Sequence, residues 1–260
     1  MKQIGLIGTP RSACASGSPA SELVGMLPEG ARFVAYPSRV GLFPYTAVEE
    51  TMQRIGHIDA ALAAAADGCD AVVIDSVGDY GLAGMRELLS IPAIGAGEAG
   101  LAAAVAHGRF GIVTVWPKKM NFITHGVLRH YGYEAACTGI ANIGATRDLE
   151  DVGDYLNAVR SGTRGVLDRV VQAVAEAKRE GCDAVMLGCT CMSPLAEKIS
   201  SRAPLPVVNP LAEAVLVALQ AAIPVVQRAD NSLRESVSAM VDAVQRETKS
   251  CSVCATSSFD

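Results

Sequence analysis

Short apolar runs alternate with longer, Ala-rich segments of helical period along this chain of 260 residues. The runs at 3–8, 31–36, 70–75, 92–95, 109–115, 133–139, 183–188 and 205–208 predict strands, several apolar throughout, as strands covered on both faces are. The segments 19–27, 47–67, 81–90, 97–107, 118–131, 154–180, 192–201, 209–222 and 230–247 predict helices. In the longest, Leu156, Val159, Val166, Leu167, Val170, Val171 and Val174 recur near helical spacing, which predicts one continuous amphipathic helix over 154–180. Strands and helices in strict alternation predict an α/β fold with parallel sheets. The last stretch, KSCSVCATSSFD (249–260), has no such period and reads as a frayed tail.

The pattern also repeats. GCDAVVIDS (68–76) matches GCDAVMLGC (181–189), IPAIGAGEAGLAAAV (91–105) echoes LPVVNPLAEAVLVAL (205–219), and KQIGLIGTP (2–10) matches RFGIVTVWP (109–117). Three matches in one order, about 107 to 114 residues apart, predict two similar α/β halves. The expected division is a first lobe of 1–105 with 205–225, a second lobe of 106–204, a C-terminal helix at 226–248 and the tail.

In open α/β sheets, ligands bind beyond the carboxyl ends of the strands. The run AVVID (71–75) ends at Ser76, and its copy AVMLG (184–188) ends at Cys189. Two pseudo-symmetric lobes would bring Ser76 and Cys189 together across one cleft, with Thr9-Pro10 and Trp116-Pro117 at its rim. Groups on opposite sides of a planar carbon suit removal of a proton from one face and delivery to the other.

Each candidate has a plainer reading. A cysteine is most often a buried small hydrophobe, and Cys69 and Cys182, which precede matched strands, are read that way. Cys189, in Gly188-Cys189-Thr190-Cys191, differs because a strand-to-helix turn sets its thiol beside free backbone N–H groups, which favour thiolate. Cys191 is the competing thiol and is expected to point away. Ser76 suits a turn or cap in Ser76-Val77-Gly78-Asp79. It is a weak base without an activating neighbour, and no histidine stands where it would serve. Glu98 and Glu213 are read as stabilising helix N-termini. Lys118 and Lys119 are read as a solvated helix start, with attraction of an anionic substrate as the alternative.

Composition narrows the classes. Half of the residues are hydrophobic, and the net charge is −5, which argues against a nucleic-acid or anionic-membrane footprint. No apolar stretch is long enough to span a bilayer. No secretory signal is read at the N-terminus, so a cytoplasmic location is expected, with the eight cysteines as thiols. Cys251 and Cys254 form a lone pair at metal-ligand spacing and the histidines show no such spacing, so no metal site is expected. The glycines of 95–100 lack the Gly-Lys-Ser/Thr ending of a phosphate loop, which argues against nucleotide binding.

The segments DAVVIDSVGDYGL (70–82), IPAIGAGEAG (91–100), RFGIVT (109–114), DAVMLGCT (183–190) and PVVNPLAEAV (206–215) together resemble the aspartate/glutamate/hydantoin racemase superfamily, nearest its hydantoin and allantoin branch. The resemblance runs over about residues 2–222 and is more specific for the superfamily than for a substrate. It implies two pseudo-symmetric lobes with the site between them, no cofactor, a homo-oligomer, and a small-molecule substrate bearing a carbonyl or carboxylate. It further implies a cysteine from each half acting as acid or base on an acidic α-carbon. Carried onto this chain, the second cysteine is Cys189 and the first falls on Ser76. Backbone N–H groups and small hydroxyls near those positions hold the substrate, which points to Val77, Gly78, Thr190 and Cys191. The N-terminal loop falls on Thr9-Pro10-Arg11-Ser12 without the family's asparagines, and Thr114 and Trp116 fall where related enzymes carry a pocket tyrosine. Serine at 76 leaves three enzyme readings: an inactivated Cys-to-Ser form, a one-thiol decarboxylase of arylmalonate type, or an epimerase in which Ser76 works with a water. A non-catalytic small-molecule binder is the alternative outside enzymes.

Overall fold

The computed structural model describes residues 2–8, 20–40, 43–221 and 231–250. Two four-stranded sheets, parallel at every pairing whose register is set out below, carry the chain. The first contains β1 (Gln3–Gly8), β2 (Arg32–Pro37), β3 (Ala71–Asp75) and β4 (Ala93–Gly95), in the order β2-β1-β3-β4. The second contains β5 (Phe110–Thr114), β6 (Cys137–Asn142), β7 (Ala184–Leu187) and β8 (Val207–Val208), in the order β6-β5-β7-β8. Each matched segment of the sequence repeat thus occupies the same place in its sheet. In the first, β1 runs parallel to β2 with Gln3 opposite Arg32, and to β3 with Ile4 opposite Ala71. In the second, Phe110 faces Cys137 and Ala184, and Val185 faces Val207.

The helices are α1 (Ala47–Ala66), α2 (Leu82–Leu88), α3 (Ala96–Val105), α4 (Asn121–Tyr131), α5 (Val152–Ser161), α6 (Val166–Arg179), α7 (Ala196–Ser200), α8 (Pro210–Gln220) and α9 (Asn231–Ser250). The chain forms two compact units. Among the described residues one takes 2–75, 80–94 and 217–250, and the other takes 76–79 and 95–216.

In the first unit, Ile7, Val72, Ile74, Leu82 and Met85 pack with Ala60, Ala61 and Ala64 of α1. Arg39 holds α9 there, with two hydrogen bonds to buried Asp59 on α1 and a third to Asp242. In the second unit, the outer layer of α5 and α6 buries Val159, Val166, Val170 and Val174 against Val185 and Leu187. On another cluster, Leu101 and Ala104 of α3 cover Phe110, Ile112, Ala184 and Met186. Each fully buried aliphatic side chain contributes about 1.5–3 kcal/mol. Cys69 and Cys182 are buried beside the central strands, their sulfurs close to Gly5 and Gly111.

Three expectations change. The segments 95–105 and 205–216 belong to the second unit, because α3 packs on β7 and β8, and β8 pairs with β7. The helix foreseen over 154–180 is two helices. Gly162, Arg164 and Gly165 all have left-handed backbones, at φ 70°, 53° and 69°, which ends one helix and starts another. The strand foreseen at 133–139 lies at Cys137–Asn142, since the chain first turns back after α4 through hydrogen bonds from Ala136 and Cys137 to Tyr133. Residues 9–19, 222–230 and 251–260, which include Thr9, Pro10 and most of the expected tail, lie outside the described residues. No described helix is long and apolar enough to cross a membrane.

Candidate active site

Ser76 leaves β3 and begins the turn 76–79, which belongs to the same compact unit as Cys189. Its hydroxyl accepts the Gly78 N–H at 3.2 Å, so the side chain caps its own turn. Three residues on, Asp79 anchors that turn. Its carboxylate accepts the N–H groups of Gly97 (2.8 Å) and Glu98 (2.7 Å) at the start of α3, and the phenol of Tyr131 (2.8 Å). A Cβ on Gly95 or Gly97 would lie 2.4 or 2.8 Å from the Asp79 carboxylate, so only glycine leaves it room. Burial pushes the carboxyl up to about 6, against the downward pull of the three donors.

Sequence reasoning missed this residue. It treated 76–79 as a local cap, and the N-terminus that Asp79 satisfies begins 17 residues later, at Ala96. Glu98 therefore offers its N–H to Asp79, in addition to its position in the first turn of α3. Burial raises the carboxyl of Glu213, at the start of α8, and nearby His107 opposes the rise.

Cys189 follows β7 in an extended conformation (φ −155°, ψ 133°) and precedes a 3-10 turn over Thr190–Leu195. Thr190 is buried, as are both flanking cysteines. The Cys191 N–H points at the Cys189 sulfur at 3.2 Å. The two sulfurs are joined in a disulfide, with Cα atoms 5.2 Å apart. This corrects the expectation that Cys191 points away and that all cysteines are thiols: the tight turn folds Cys191 back over Cys189. Cys69, Cys137 and Cys182 are free.

Gly188 is fixed from the neighbouring strand. Its N–H donates to Val113 at 2.7 Å, and its carbonyl accepts the buried Thr114 hydroxyl at 3.3 Å. Thr114 Oγ1 also accepts the Trp116 N–H. Trp116 sets its ring edge against Tyr155 and packs on the cluster that contains Cys189 and Cys191. Its carbonyl accepts from Asn142 at 2.9 Å. Lys118 and Lys119 are exposed on a short turn.

A small apolar void lies within the second unit. Val77 and Gly188 both line it, with Ile112, Met186, Thr124 and Leu128 among its other walls. Val77 and Gly188, which flank Ser76 and Cys189 in the chain, thus both face this void, which has room for about one water. Among the described residues, no group of three or more His, Cys, Asp or Glu is placed to hold a metal.

The chain matches the profile of the Asp/Glu/Hydantoin racemase family over residues 26–218 and belongs to that family. It is 30% identical over 151 residues to a hydantoin racemase of Paenarthrobacter aurescens and 30% identical over 154 residues to one of Rhizobium meliloti. The matches cover 57% and 59% of this chain and 60% of either relative, so the chain spans about three-fifths of the length of these curated relatives. An allantoin racemase structure from Klebsiella pneumoniae aligns with a TM-score of 0.71 at 27% identity, over 86% of this chain and 91% of that one. A glutamate racemase from Francisella tularensis shares the fold, with a TM-score of 0.56 at 14% identity over 84% of this chain and 80% of that one.

Proposed function

We propose that the chain is a cofactor-independent isomerase of racemase type, acting on an acidic carbon beside a carbonyl in a 5-substituted hydantoin or a related amino-acid derivative. The observation that carries this reading is the family match over residues 26–218, supported by the turn after β7 that sets Cys189 beside the Cys191 N–H. In its reduced form Cys189 is the acid/base. Its thiolate takes the proton from the α-carbon, leaving an enolate, and the resulting thiol returns a proton to the same carbon. The Cys191 N–H aimed at the sulfur supports the negative charge. Val77, Gly78, Thr114, Trp116 and Thr190 surround the substrate, with Thr9 and Pro10 assigned to it from the sequence.

Ser76 sets the stereochemical outcome. A hydroxyl that already accepts the Gly78 N–H is a poor proton donor or acceptor at neutral pH. Cys189 alone exchanges the α-hydrogen on its own face, so exchange with solvent outruns inversion. Supplying a thiol at position 76 restores a group of suitable pKa on the other side, and a general acid or base contributes about 10²–10⁴-fold. The test is the ratio of deuterium incorporation to racemisation in D2O for the reduced protein and for Ser76→Cys. The reading expects a large ratio that falls by at least about 10²-fold in the variant. Equal rates of exchange and inversion in both proteins contradict it.

The serine also favours a second reading, a one-thiol decarboxylase. Carbon dioxide would leave one face of a disubstituted malonate and Cys189 would protonate the other. Release of carbon dioxide with no exchange of a hydantoin α-hydrogen selects that reading.

A further inference from the structure

The proposed chemistry needs a free thiol at Cys189, yet the structure holds that sulfur in a bond to Cys191. Three features make the pair more than neighbours. The 3-10 turn brings the two Cα atoms to 5.2 Å, within the range a disulfide spans without backbone movement. The Cys191 N–H points at the Cys189 sulfur at 3.2 Å, a donor that favours thiolate once the pair is reduced and so makes Cys189 the attacking partner. Both residues are only 9% exposed, which admits a small oxidant and hinders a bulky one.

We infer that Cys189 and Cys191 form a reversible redox-modification site whose oxidant is of the hydrogen peroxide class. The Cys189 thiolate attacks one peroxide oxygen. The O–O bond breaks, sulfenic acid forms on Cys189, and hydroxide leaves to become water. Cys191 then attacks that sulfur, the S–O bond breaks, the disulfide forms and a second water departs. Two thiols have lost two hydrogens and two electrons to one peroxide. A thiol reductant reverses the change by exchange. Cys191 is the resolving thiol, which keeps Cys189 from reaching the irreversible sulfinic state. With serine at 76, no second thiol remains at the paired position, so oxidation removes the chain's acid/base group outright. This last step rests on the proposed function; the dithiol site does not.

The experiment reduces the full chain with dithiothreitol, removes the reductant, adds one equivalent of hydrogen peroxide, alkylates and digests with trypsin. Peptide 180–198 reports on Cys182, Cys189 and Cys191 together. The inference expects alkylation at Cys182 only, with loss of two hydrogens between Cys189 and Cys191, and full alkylation after renewed reduction. In Cys191→Ser, the first equivalent of peroxide stops at sulfenic acid, and a second equivalent takes Cys189 to sulfinic acid that dithiothreitol does not recover. Alkylation of both Cys189 and Cys191 after peroxide overturns the inference, as does irreversible oxidation of Cys189 in the unaltered chain. Hydrogen exchange at the substrate α-carbon should vanish on oxidation and return on reduction. A reversible bridge in a chain without exchange activity in either state leaves the dithiol site standing and sinks the racemase reading.

Discussion

The Asp79 carboxylate accepts the Tyr131 phenol at 2.8 Å while capping the first N–H groups of α3, so one buried side chain ties the turn after β3 to two helices. Asp79→Asn turns one oxygen into a donor facing a donor, which costs about 1–3 kcal/mol. The pH dependence separates this from a packing defect. The folded carboxyl, raised to about 6 from 3.8, binds its proton before the unfolded one. Falling pH through that window therefore stabilises the unaltered chain and does nothing for the variant, and the gap widens by up to about 3 kcal/mol. Denaturant midpoints at pH 7 and pH 4 measure it. A gap that narrows on acidification contradicts the assignment.

His57 in the first unit has the opposite sign. It is buried, its Nδ1 lies 2.8 Å from the Gln53 carbonyl, and its Nε2 has no partner among the described residues. Burial lowers its pKa to about 4 from 6.5. The folded state then resists a proton that the unfolded state takes, and stability is lost as pH falls from about 6.5 to 4. His57→Asn keeps a donor for Gln53 and removes the titration. Its cost, measured as for Asp79, should be largest at pH 7.5 and shrink by about 3 kcal/mol toward pH 4. A pH-independent cost contradicts the prediction.

A Cβ on Gly188 would lie 2.7 Å from Thr114 Cβ and 2.9 Å from Ile112 Cγ2. Gly188→Ala must move β5 or the strand end that carries Cys189. We expect a stability loss of about 1–3 kcal/mol, together with a loss of substrate exchange larger than the stability loss explains. Thermal melts and exchange rates on one preparation check both. Full exchange activity contradicts the placement of Cys189 by this contact.

Arg39 pairs with buried Asp59 through two nitrogens, and with Asp242 on α9. Arg39→Met leaves Asp59 buried and uncompensated, with an expected cost of about 3 kcal/mol, the low end for a buried pair because Arg39 itself is partly exposed. Asp242→Asn removes an exposed pair and should cost under about 1 kcal/mol. Amide exchange along 234–246 reads the hold on α9 directly. Unchanged protection in Arg39→Met contradicts that role.

The architecture was legible because the central strands are almost wholly apolar and recur in a repeat, so the sequence matches map onto equivalent places in both sheets. The features that escaped depend on backbone conformation or on distance along the chain. The valine period runs through the break at 162–165, since α5 and α6 bury their faces in the same cluster. Asp79 offered only a local motif, while its partners lie at 97, 98 and 131. The approach of Cys191 to Cys189 depends on a 3-10 turn, and strand or helix periodicity gives no sign of one.

In the proposed mechanism the reduced Cys189 thiol moves the α-proton. The most direct test is proton NMR of a 5-substituted hydantoin in D2O with the reduced chain and with Cys189→Ala. That mechanism predicts steady loss of the C5 proton signal with the unaltered chain and none above the uncatalysed background with the variant. Equal loss with both proteins would contradict it.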